Sequence, residues 1–254
     1  MLPAERHARI TDAVRSARVV STEELVALTG ASGETIRRDL TTLEHKGVLK
    51  RVHGGATSAL VSADEEAPFQ ERSSANHEAK IAIGRAAATL VRPGQTVIID
   101  VGTTALEVAR ALPGSFHGTV ATCSLLVAAE LAGRAGVEVL VSGGRVRGGD
   151  LACSNSHAVA FFTDLRADVA FLGSGGVDVE AGLTDFHLDE VATRRVMLAN
   201  SACAYALVDS SKFDRVAPHR VCDLGALTGL VTDGRPAPPL ALAVKRAGGV
   251  IVTA

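Results

Sequence analysis

The N-terminal fifth of the chain contains three runs of apolar residues at helical spacing, separated by short polar breaks. In the first run, residues 2–16, the side chains of Ile10, Ala13 and Val14 fall on one face and predict a helix. Residues 19–20 are both valine and predict a short extended segment after that helix.

Capping residues mark the start of the second and third helices. Ser21 and Glu24 have the spacing of a capping box, in which each side chain bonds a backbone N–H at the start of a helix. The helix that they open is predicted to end at Gly30. Ser32 is the N-cap candidate of a third helix, which ends near Gly47, where a terminal glycine is favoured.

A strand and a glycine-containing turn follow the third helix. Residues 48–52 predict the strand, and residues 53–55, His-Gly-Gly, predict the turn. Two helices joined by a short turn and followed by a two-stranded wing form a winged helix-turn-helix, whose second helix enters the major groove of DNA. The pattern therefore predicts a DNA-binding domain over residues 1–56.

The candidate DNA-binding residues share a polar or basic side chain on the third helix or the wing. They are Ser32, Thr35, Arg37, Arg38, Lys50, Arg51 and His53. In the alternative interpretation, Arg37 and Arg38 form a solvated basic face that is paired with Glu34 or Asp39. The basic wing close behind them favours contacts with bases or phosphates instead.

From Pro68 onward, continuously apolar, β-branched runs alternate with helical patterns. Such runs predict strands buried on both faces of a mostly parallel sheet, in a Rossmann-like α/β domain. The predicted strands are 96–100, 118–122, 137–142, 169–173, 202–209, 229–232 and 250–252; the predicted helices are about 69–90, 104–112, 125–132, 189–200 and 239–246. Small, polar and acidic residues at 57–67 predict a linker, so the second domain is expected to cover residues 68–254.

Glycine and hydroxyl residues follow the predicted strands where each one ends. Examples are residues 100–104, Asp-Val-Gly-Thr-Thr, and residues 209–212, Asp-Ser-Ser-Lys. Loops of this kind at helix N-termini suit an anionic group such as phosphate, although a single one is usually only a strand-to-helix turn. Several of them at the carboxyl ends of one sheet predict an anion site at that edge.

Composition narrows the classes of function. With 47% hydrophobic and 21% charged residues among 254, the chain has the composition of a folded globular protein. The first 56 residues carry 9 basic and 7 acidic side chains, whereas the rest carry 17 and 21. Aromatic residues are only 3%, which argues against stacking on single-stranded nucleic acid.

No apolar run reaches the about 20 residues of a membrane span, and the first residues resemble no signal segment, so a cytoplasmic protein without membrane contact is expected. The four cysteines show no CxxC spacing. The sequence therefore predicts neither a metal site nor a cofactor.

Two stretches of the first domain resemble the DeoR family of bacterial transcriptional repressors. They are residues 35–40, Thr-Ile-Arg-Arg-Asp-Leu, and residues 53–56, His-Gly-Gly-Ala. The order of strand-end loops in the second domain is similar to the effector domain of the same family, so the resemblance covers nearly the whole chain. It implies a repressor of a carbohydrate-utilisation operon, which binds double-stranded operator DNA and is controlled by a phosphorylated sugar or a related metabolite. It also implies a fold related to ribose-5-phosphate isomerase and glucosamine-6-phosphate deaminase.

Carried over position by position, the resemblance assigns the candidate effector contacts to the strand-end loops and the helix after them. They are Asp100, Gly102, Thr103, Thr104, Thr122, Ser124, Gly143, Gly144, Gly173, Gly176, Glu190, Arg194 and Lys212. The chain departs from the family at Cys123, where asparagine is usual, at Arg194, where lysine is usual, and at residues 155–156, where Gly-Pro is common. The effector could therefore be atypical.

Several alternatives stay open. Glu190 and Arg194, four residues apart on a predicted helix, could form an ordinary surface ion pair, and Lys212 could be a solvated loop lysine. A sugar-phosphate isomerase or deaminase could use Glu190 as its base, but the fused DNA-binding domain argues against an enzyme. A redox regulator could use Cys123. Because helix-turn-helix proteins read paired half-sites, a homo-oligomer, dimer or tetramer, is expected.

Overall fold

A computed structural model describes residues 2–16, 19–45, 48–52, 54–58 and 66–254. The chain divides into two compact units, Met1–Ala67 and Pro68–Ala254, called here the N-terminal and the C-terminal unit. Most of the predicted linker at 57–67 lies outside the described residues, as does His53.

The N-terminal unit packs three helices against a small sheet. The elements are α1 Pro3–Ser16, β1 Val19–Ser21, α2 Thr22–Thr29, α3 Gly33–His45, β2 Leu49–Val52 and β3 Gly55–Ser58. The strand order is β1-β3-β2, and both pairs are antiparallel. The apolar faces of the helices meet in one core that includes Ile10, Leu25, Ile36 and Leu40. This is the winged helix-turn-helix that the helical spacing predicted.

Local signals set the bounds of α2 and α3. The hydroxyl of Ser21 accepts from the backbone N–H of Glu24 at 3.1 Å, and the N–H of Ser21 donates to the Glu24 carboxylate at 2.7 Å, which completes the predicted capping box. Gly30 ends α2 with φ 70°, a conformation that favours glycine. Ser32 accepts from the N–H of Thr35 at 3.3 Å at the start of α3.

The C-terminal unit contains a large parallel sheet with helices on both faces. Its strands are β4 Thr96–Ile99, β5 Gly118–Thr122, β6 Val137–Val141, β7 Ala167–Leu172, β8 Gly176–Asp178, β9 Gly182–Asp185, β10 Ser201–Val208, β11 His219–Cys222, β12 Gly229–Thr232 and β13 Val250–Thr253. Seven of them form a sheet in the order β13-β12-β10-β7-β4-β5-β6, with every neighbouring pair parallel. The order β11-β9-β8 defines a second, antiparallel sheet.

Helices cover both faces of the seven-stranded sheet. They are α4 Phe69–Ser74, α5 His77–Ala88, α6 Thr103–Ala111, α7 Leu125–Leu131, α8 Ser156–Thr163, α9 Leu188–Ala199 and α10 Pro238–Arg246. Alternate residues of β4 enter two different cores: Val97 and Ile99 pack with residues of α5, α6 and α7, whereas Ile98 packs with residues of α8, α9 and α10. None of the helices in the described part of the chain is long and apolar enough to cross a membrane.

The structure differs from the predicted elements in three places. The single helix predicted at 69–90 is two helices, because Ala75 is extended and Asn76 takes the left-handed conformation with φ 52°. Asparagine tolerates that conformation better than most residues, and the corner ends the helical hydrogen-bond series. The antiparallel sheet was not predicted, since strands of 3 or 4 residues contain too little periodicity. The helix α8, of 8 residues, was not predicted either.

One aromatic pair lies within the parallel sheet. The rings of Phe171 on β7 and Tyr205 on β10 are stacked, with centroids 6.2 Å apart and planes 26° from parallel. Tyr205 is the single tyrosine of the chain, which contains no tryptophan.

Candidate functional sites

The exposed face of α3 presents basic side chains. Ile36 and Leu40 are buried on its other face, so Arg37 and Arg38 project away from the core. Arg37 Nη1 lies 3.3 Å from Glu34 Oε2, but both side chains are more than half exposed, so this pair is weak. Arg38 forms no ion pair with any described residue. This face of α3 is therefore able to bind an anionic partner.

Asp39 is engaged by α1 rather than by its neighbours on α3. Arg6 Nε lies 2.5 Å from Asp39 Oδ2, and His7 Nε2 lies 2.8 Å from Asp39 Oδ1. Burial alone would raise the pKa of Asp39, but the hydrogen bonds from Arg6 and His7 outweigh it and hold this pKa below its ordinary value. The alternative in which Asp39 neutralises Arg37 or Arg38 is wrong.

The wing strand places a further arginine beside α3. Arg51 Nη1 donates to Thr41 Oγ1 at 3.0 Å, and the Arg51 backbone N–H donates to Glu44 Oε1 at 2.9 Å. At the start of α3 the hydroxyls of Ser32 and Thr35 lie 2.9 Å apart, so both candidates take part in capping the helix. The side chain of Lys50 and all of His53 fall outside the described residues.

In the C-terminal unit, the strand order reverses between β4 and β7. From β4 the chain continues to β5 and β6 on one side, whereas β7 and β10 lie on the other side. Ligands in open parallel sheets bind in the crevice that such a reversal opens at the carboxyl ends of the strands. Asp100 follows β4 and Gly173 follows β7, and the N–H of Gly173 donates to Asp100 Oδ2 at 2.8 Å.

A buried charge cluster lies beside this crevice, with Arg194 at its centre. Arg194 Nε is 2.5 Å from Asp100 Oδ2, and Arg194 Nη2 is 2.8 Å from Glu190 Oε2. The Nη1 atom lies 2.6 Å from Asp185 Oδ2, but without hydrogen-bond geometry. All four side chains are almost completely buried, so Glu190 and Arg194 do not form the ordinary surface pair of the alternative interpretation.

The cluster strongly favours a charged arginine. Burial opposes the charge, but Asp100, Asp185 and Glu190 together hold the pKa of Arg194 well above its ordinary value. Burial raises the pKa of Glu190, against the opposing effect of Arg194. Arg194 therefore acts first as the counter-ion of three carboxylates.

A glycine-rich loop after β6 brings a second arginine to the cluster. Arg147 pairs with Glu190, and its Nε donates to Asp150 Oδ1 at 3.1 Å. Asp150 Oδ2 in turn lies 3.8 Å from Nη2 of Arg72 on α4. Sequence reasoning missed these three residues and Asp185; a charge inside a glycine-rich loop was the available signal for Arg147.

Lys212 lies in the short turn that follows β10. Its Nζ donates to the carbonyl of Ser174, directly after Gly173. The same loop carries Asp209, where burial raises the pKa but Lys212 and a hydrogen bond from Ser211 outweigh it, so the pKa is low. Lys212 is thus part of a charged loop rather than an isolated solvated lysine.

Lys80 of α5 is a buried cation that sequence reasoning also missed. Its Nζ donates to the carbonyl oxygens of Arg72 and, at 2.6 Å, of Ala75. Burial lowers its pKa to about 8, Asp209 opposes this effect, and Lys212 adds to it.

The remaining candidates divide into two groups. Gly102 begins α6 with φ 132°, and no side chain caps that helix, so the first N–H groups of α6 are not satisfied by a capping side chain. Thr122 accepts from the N–H of Ser124 at 3.0 Å, and Ser124 caps α7 by accepting from Val127 at 3.3 Å. The hydroxyls of Thr122 and Ser124 therefore stabilise a strand-to-helix turn.

Glycine is required for close approach at two of the candidates. A Cβ at Gly173 would lie 2.8 Å from Arg194 Nη2, and one at Gly144 would lie 2.7 Å from Asn155 Oδ1. Gly143 precedes Gly144 at the start of the loop that carries Arg147. Gly176 lies within β8, in the antiparallel sheet, rather than among the charged residues of the crevice.

Three non-glycine residues of the described chain have positive φ, and all lie in or beside these loops. They are Asn76, Leu151 and Asp214, with φ of 52°, 53° and 56°. Left-handed backbone costs free energy for such residues and concentrates at functional sites. Within the described residues, no group of three or more histidine, cysteine, aspartate or glutamate side chains is placed to hold a metal ion.

Cys123 is a buried residue directly after β5, next to Asp100. Its Sγ is 3.5 Å from Asp100 Oδ1, and Ser154 Oγ donates to it at 3.6 Å. Burial and the Asp100 carboxylate raise the pKa of Cys123 well above its ordinary value. Because the thiolate is the reactive form, this environment argues against the redox alternative.

The two units together define a DNA-binding regulator: a winged helix-turn-helix joined to an α/β unit with a charged crevice at its switch point. Residues 6–60 match the DeoR-like helix-turn-helix domain, and residues 75–234 match the DeoR C-terminal sensor domain. The chain belongs to the DeoR family of transcriptional regulators. The resemblance, the fold class and the regulatory, non-enzymatic class predicted from the sequence are confirmed.

Known relatives cover nearly the whole chain. The glycerol-3-phosphate regulon repressor of Escherichia coli is 34% identical over 236 residues, 93% of each chain. The HTH-type transcriptional regulator GolR of Listeria innocua is 32% identical over 235 residues, 92% of each chain. Among solved structures, ribose-5-phosphate isomerase A of Methanocaldococcus jannaschii aligns with a TM-score of 0.41 and 17% identity over 55% of each chain.

Proposed function

We propose that this regulator binds operator DNA through α3 and the wing, and that a phosphorylated sugar or related metabolite in the C-terminal crevice controls that binding. The carrying observation is the crevice itself, where uncapped helix N–H groups, a lysine and a buried carboxylate lie at the switch point of a sheet joined to a DNA-binding unit. The name of one relative, a glycerol-3-phosphate regulon repressor, supports a small phosphorylated metabolite as the effector class.

On the DNA side, the exposed arginines of α3 carry the base contacts. Arg38 has no intramolecular ion pair among the described residues, and Arg37 has only a weak one, so both can bind base edges in the major groove. We also assign DNA contacts to Ser32 and Thr35, which lie at the start of α3. Lys50, Arg51 and His53 are assigned to the DNA backbone or minor groove.

On the effector side, the phosphate is assigned to the N-terminus of α6. The backbone N–H groups of Gly102, Thr103 and Thr104, which no described side chain caps, and the hydroxyl of Thr103 are assigned to the phosphate, at the end of α6 that carries a partial positive charge. Lys212 neutralises the remaining phosphate charge. This choice is favoured over Arg194, whose guanidinium already faces three carboxylates.

Sugar hydroxyls can donate to the carboxylates of Asp100 and Glu190, and Asp100 is the more available acceptor of the two. Asp100 Oδ2 accepts from Arg194 and Gly173, whereas among the described residues Oδ1 accepts only from the weak thiol donor of Cys123. Glu190 uses Oε1 for Arg147 and Oε2 for Arg194. Asp100 is therefore the first acceptor for a hydroxyl, and Glu190 becomes one when Arg147 moves.

The proposal also covers the domain boundaries, the oligomeric state and the location of the protein. We divide the chain into a DNA-binding domain, predicted at 1–56 and extended here to the end of β3 at Ser58, a linker that reaches residue 67 and an effector domain at 68–254. We propose a homodimer or tetramer, because paired half-sites on an operator require at least two recognition helices. Operator binding places the protein with the DNA in the cytoplasm.

The test measures operator affinity with and without each member of a phosphosugar panel, for wild type, Lys212→Ala and Thr103→Val. The matched control is Lys245→Ala, an exposed lysine near the end of α10. We expect one phosphosugar to change wild-type and Lys245→Ala affinity by about 5- to 150-fold, the usual range of allosteric coupling. Lys212→Ala and Thr103→Val should lose that response and keep operator binding near normal. A response that survives unchanged in both would contradict this site.

A further inference from the structure

The corner between α4 and α5 is a built structure rather than a flexible kink. Ala75 is extended, Asn76 is left-handed, and the ammonium of Lys80 donates to the carbonyl oxygens of Arg72 and Ala75. Those carbonyls lie in the last turn of α4 and at its C-cap, Ala75, where helical partners are missing. The direction in which α4 leaves α5 is therefore fixed by specific contacts.

The side chain of Asn76 joins this corner to the loop after β10. Its Nδ2 donates to Asp209 Oδ1 at 3.2 Å and to Ser211 Oγ at 3.1 Å. Asp209 begins the short turn that ends at Lys212, and its carbonyl accepts from the Lys212 N–H at 2.9 Å. Asn76 does not cap α5, so its amide serves the contact with this loop.

Helix α4 is also fastened on its other side. Arg72 lies 3.8 Å from Asp150, which holds Arg147 beside Glu190. Loops from both sides of the switch point therefore reach α4. This helix begins at Phe69, immediately after Pro68, the first residue of the C-terminal unit.

We infer that Asn76 is a positioning residue that links the Asp209–Lys212 loop to α4, so that effector bound at Lys212 changes operator affinity through this amide. The inference rests on the proposed function and concerns the response, not the binding of effector. A ligand shifts an equilibrium only through contacts that differ between two states, and the inference assigns that difference to the two hydrogen bonds of Asn76 between loop and corner.

The variant Asn76→Gly tests the side-chain amide without changing the backbone conformation. Glycine adopts φ near 52° without strain, so the corner is retained while both donors to the loop are lost. The matched control is Asp214→Gly, which makes the same kind of change at another left-handed residue of this region. Ser211→Ala is a second variant, which removes one acceptor from the loop side.

Two quantities are measured for each protein: phosphosugar affinity by calorimetry, and operator affinity with and without that phosphosugar. Asn76→Gly should bind the phosphosugar within about threefold of wild type and bind operator normally without it. The effector-induced change, about 5- to 150-fold in wild type, should fall to less than twofold. Ser211→Ala should retain part of the change, and Asp214→Gly should retain all of it.

Each other outcome overturns a defined part of the inference. If Asn76→Gly and Ser211→Ala respond like wild type, Asn76 does not transmit the effect. If Asn76→Gly loses phosphosugar binding, the residue belongs to the binding site and the positioning role is wrong. If Asn76→Gly does not fold, an unchanged response in Ser211→Ala decides against the inference. A wild type that responds to no phosphosugar overturns the proposed function, and this inference with it.

Discussion

The arginines of the two units lie in opposite environments. On α3, the Arg37 side chain is 61% exposed beside one exposed glutamate, and Arg38 has no ion pair among the described residues. In the C-terminal unit, the Arg194 side chain is 3% exposed and faces three carboxylates. An exposed arginine keeps its hydrogen-bonding capacity for a partner, whereas a buried one has already committed that capacity to the fold. The residue type alone thus does not tell a ligand contact from a structural counter-ion.

The first prediction concerns the stability that the buried arginine, Arg194, contributes. Arg194→Met would leave Asp100, Asp185 and Glu190 buried without their counter-ion, and the expected loss of stability is about 3–5 kcal/mol. The control, Arg38→Met, replaces an exposed arginine and should change stability by about 0.5 kcal/mol or less. Chemical denaturation of the full chain followed by circular dichroism measures both. Equal losses in the two variants would show that the environments do not differ energetically.

The second prediction concerns the operator affinity that the exposed arginines of the N-terminal unit contribute. Arg38→Ala should lower operator affinity by about 1–3 kcal/mol, mainly through lost discrimination at particular base pairs. Arg51→Ala should weaken binding to all sequences about equally and lower the salt dependence by about one ion. Titration of operator and mutated operators at two salt concentrations separates the two effects. Arg92→Ala, an exposed arginine of the C-terminal unit, is the control. Wild-type affinity in both Arg37→Ala and Arg38→Ala at physiological salt would contradict the assignment of α3.

The third prediction compares how Asp39 of the N-terminal unit and Lys80 of the C-terminal unit make stability depend on pH. The pKa of Asp39 is lowered in the folded state, so the stability it contributes is present above its unfolded value of 3.8 and is lost as pH falls below it. The pKa of Lys80 is lowered from 10.5 to about 8, so the folded state loses its proton first and stability rises with pH through that window.

Between pH 7 and pH 9 the Lys80 effect should amount to about 1 kcal/mol. Thermal denaturation across pH measures it, with Lys80→Met expected to remove the alkaline gain relative to wild type. Asp39→Asn should remove the acid loss. Parallel pH profiles for wild type and both variants would exclude these two groups as the source.

Local signals predicted the elements better than the crevice. The caps at Ser21, Gly30 and Ser32 involve residues within a few positions of each other, so the sequence pattern contains them. The spacing of Glu190 and Arg194 predicted their pairing but not their burial, because burial depends on the strands packed above them. The order of the strands, and with it the switch point, is not contained in periodicity.

The missed residues share long separations along the chain. Asn76 contacts Asp209 from 133 positions away, and Arg147 reaches Glu190 across 43 positions. No pattern within a single helix or loop contains such a pair. Asp185 ends a strand of 4 residues that was itself not predicted, so its place in the charge cluster followed from an unseen element.

The stacking of Tyr205 on Phe171 has a spectroscopic consequence. Because the chain has one tyrosine and no tryptophan, its near-ultraviolet emission arises from a single position inside the parallel sheet. That signal reports the melting of the C-terminal unit alone, whereas far-ultraviolet dichroism reports the helices of both. A tryptophan introduced at an exposed site of α1 would add emission at a second, longer wavelength. The unfolding of the two units could then be followed separately in one sample without any attached dye.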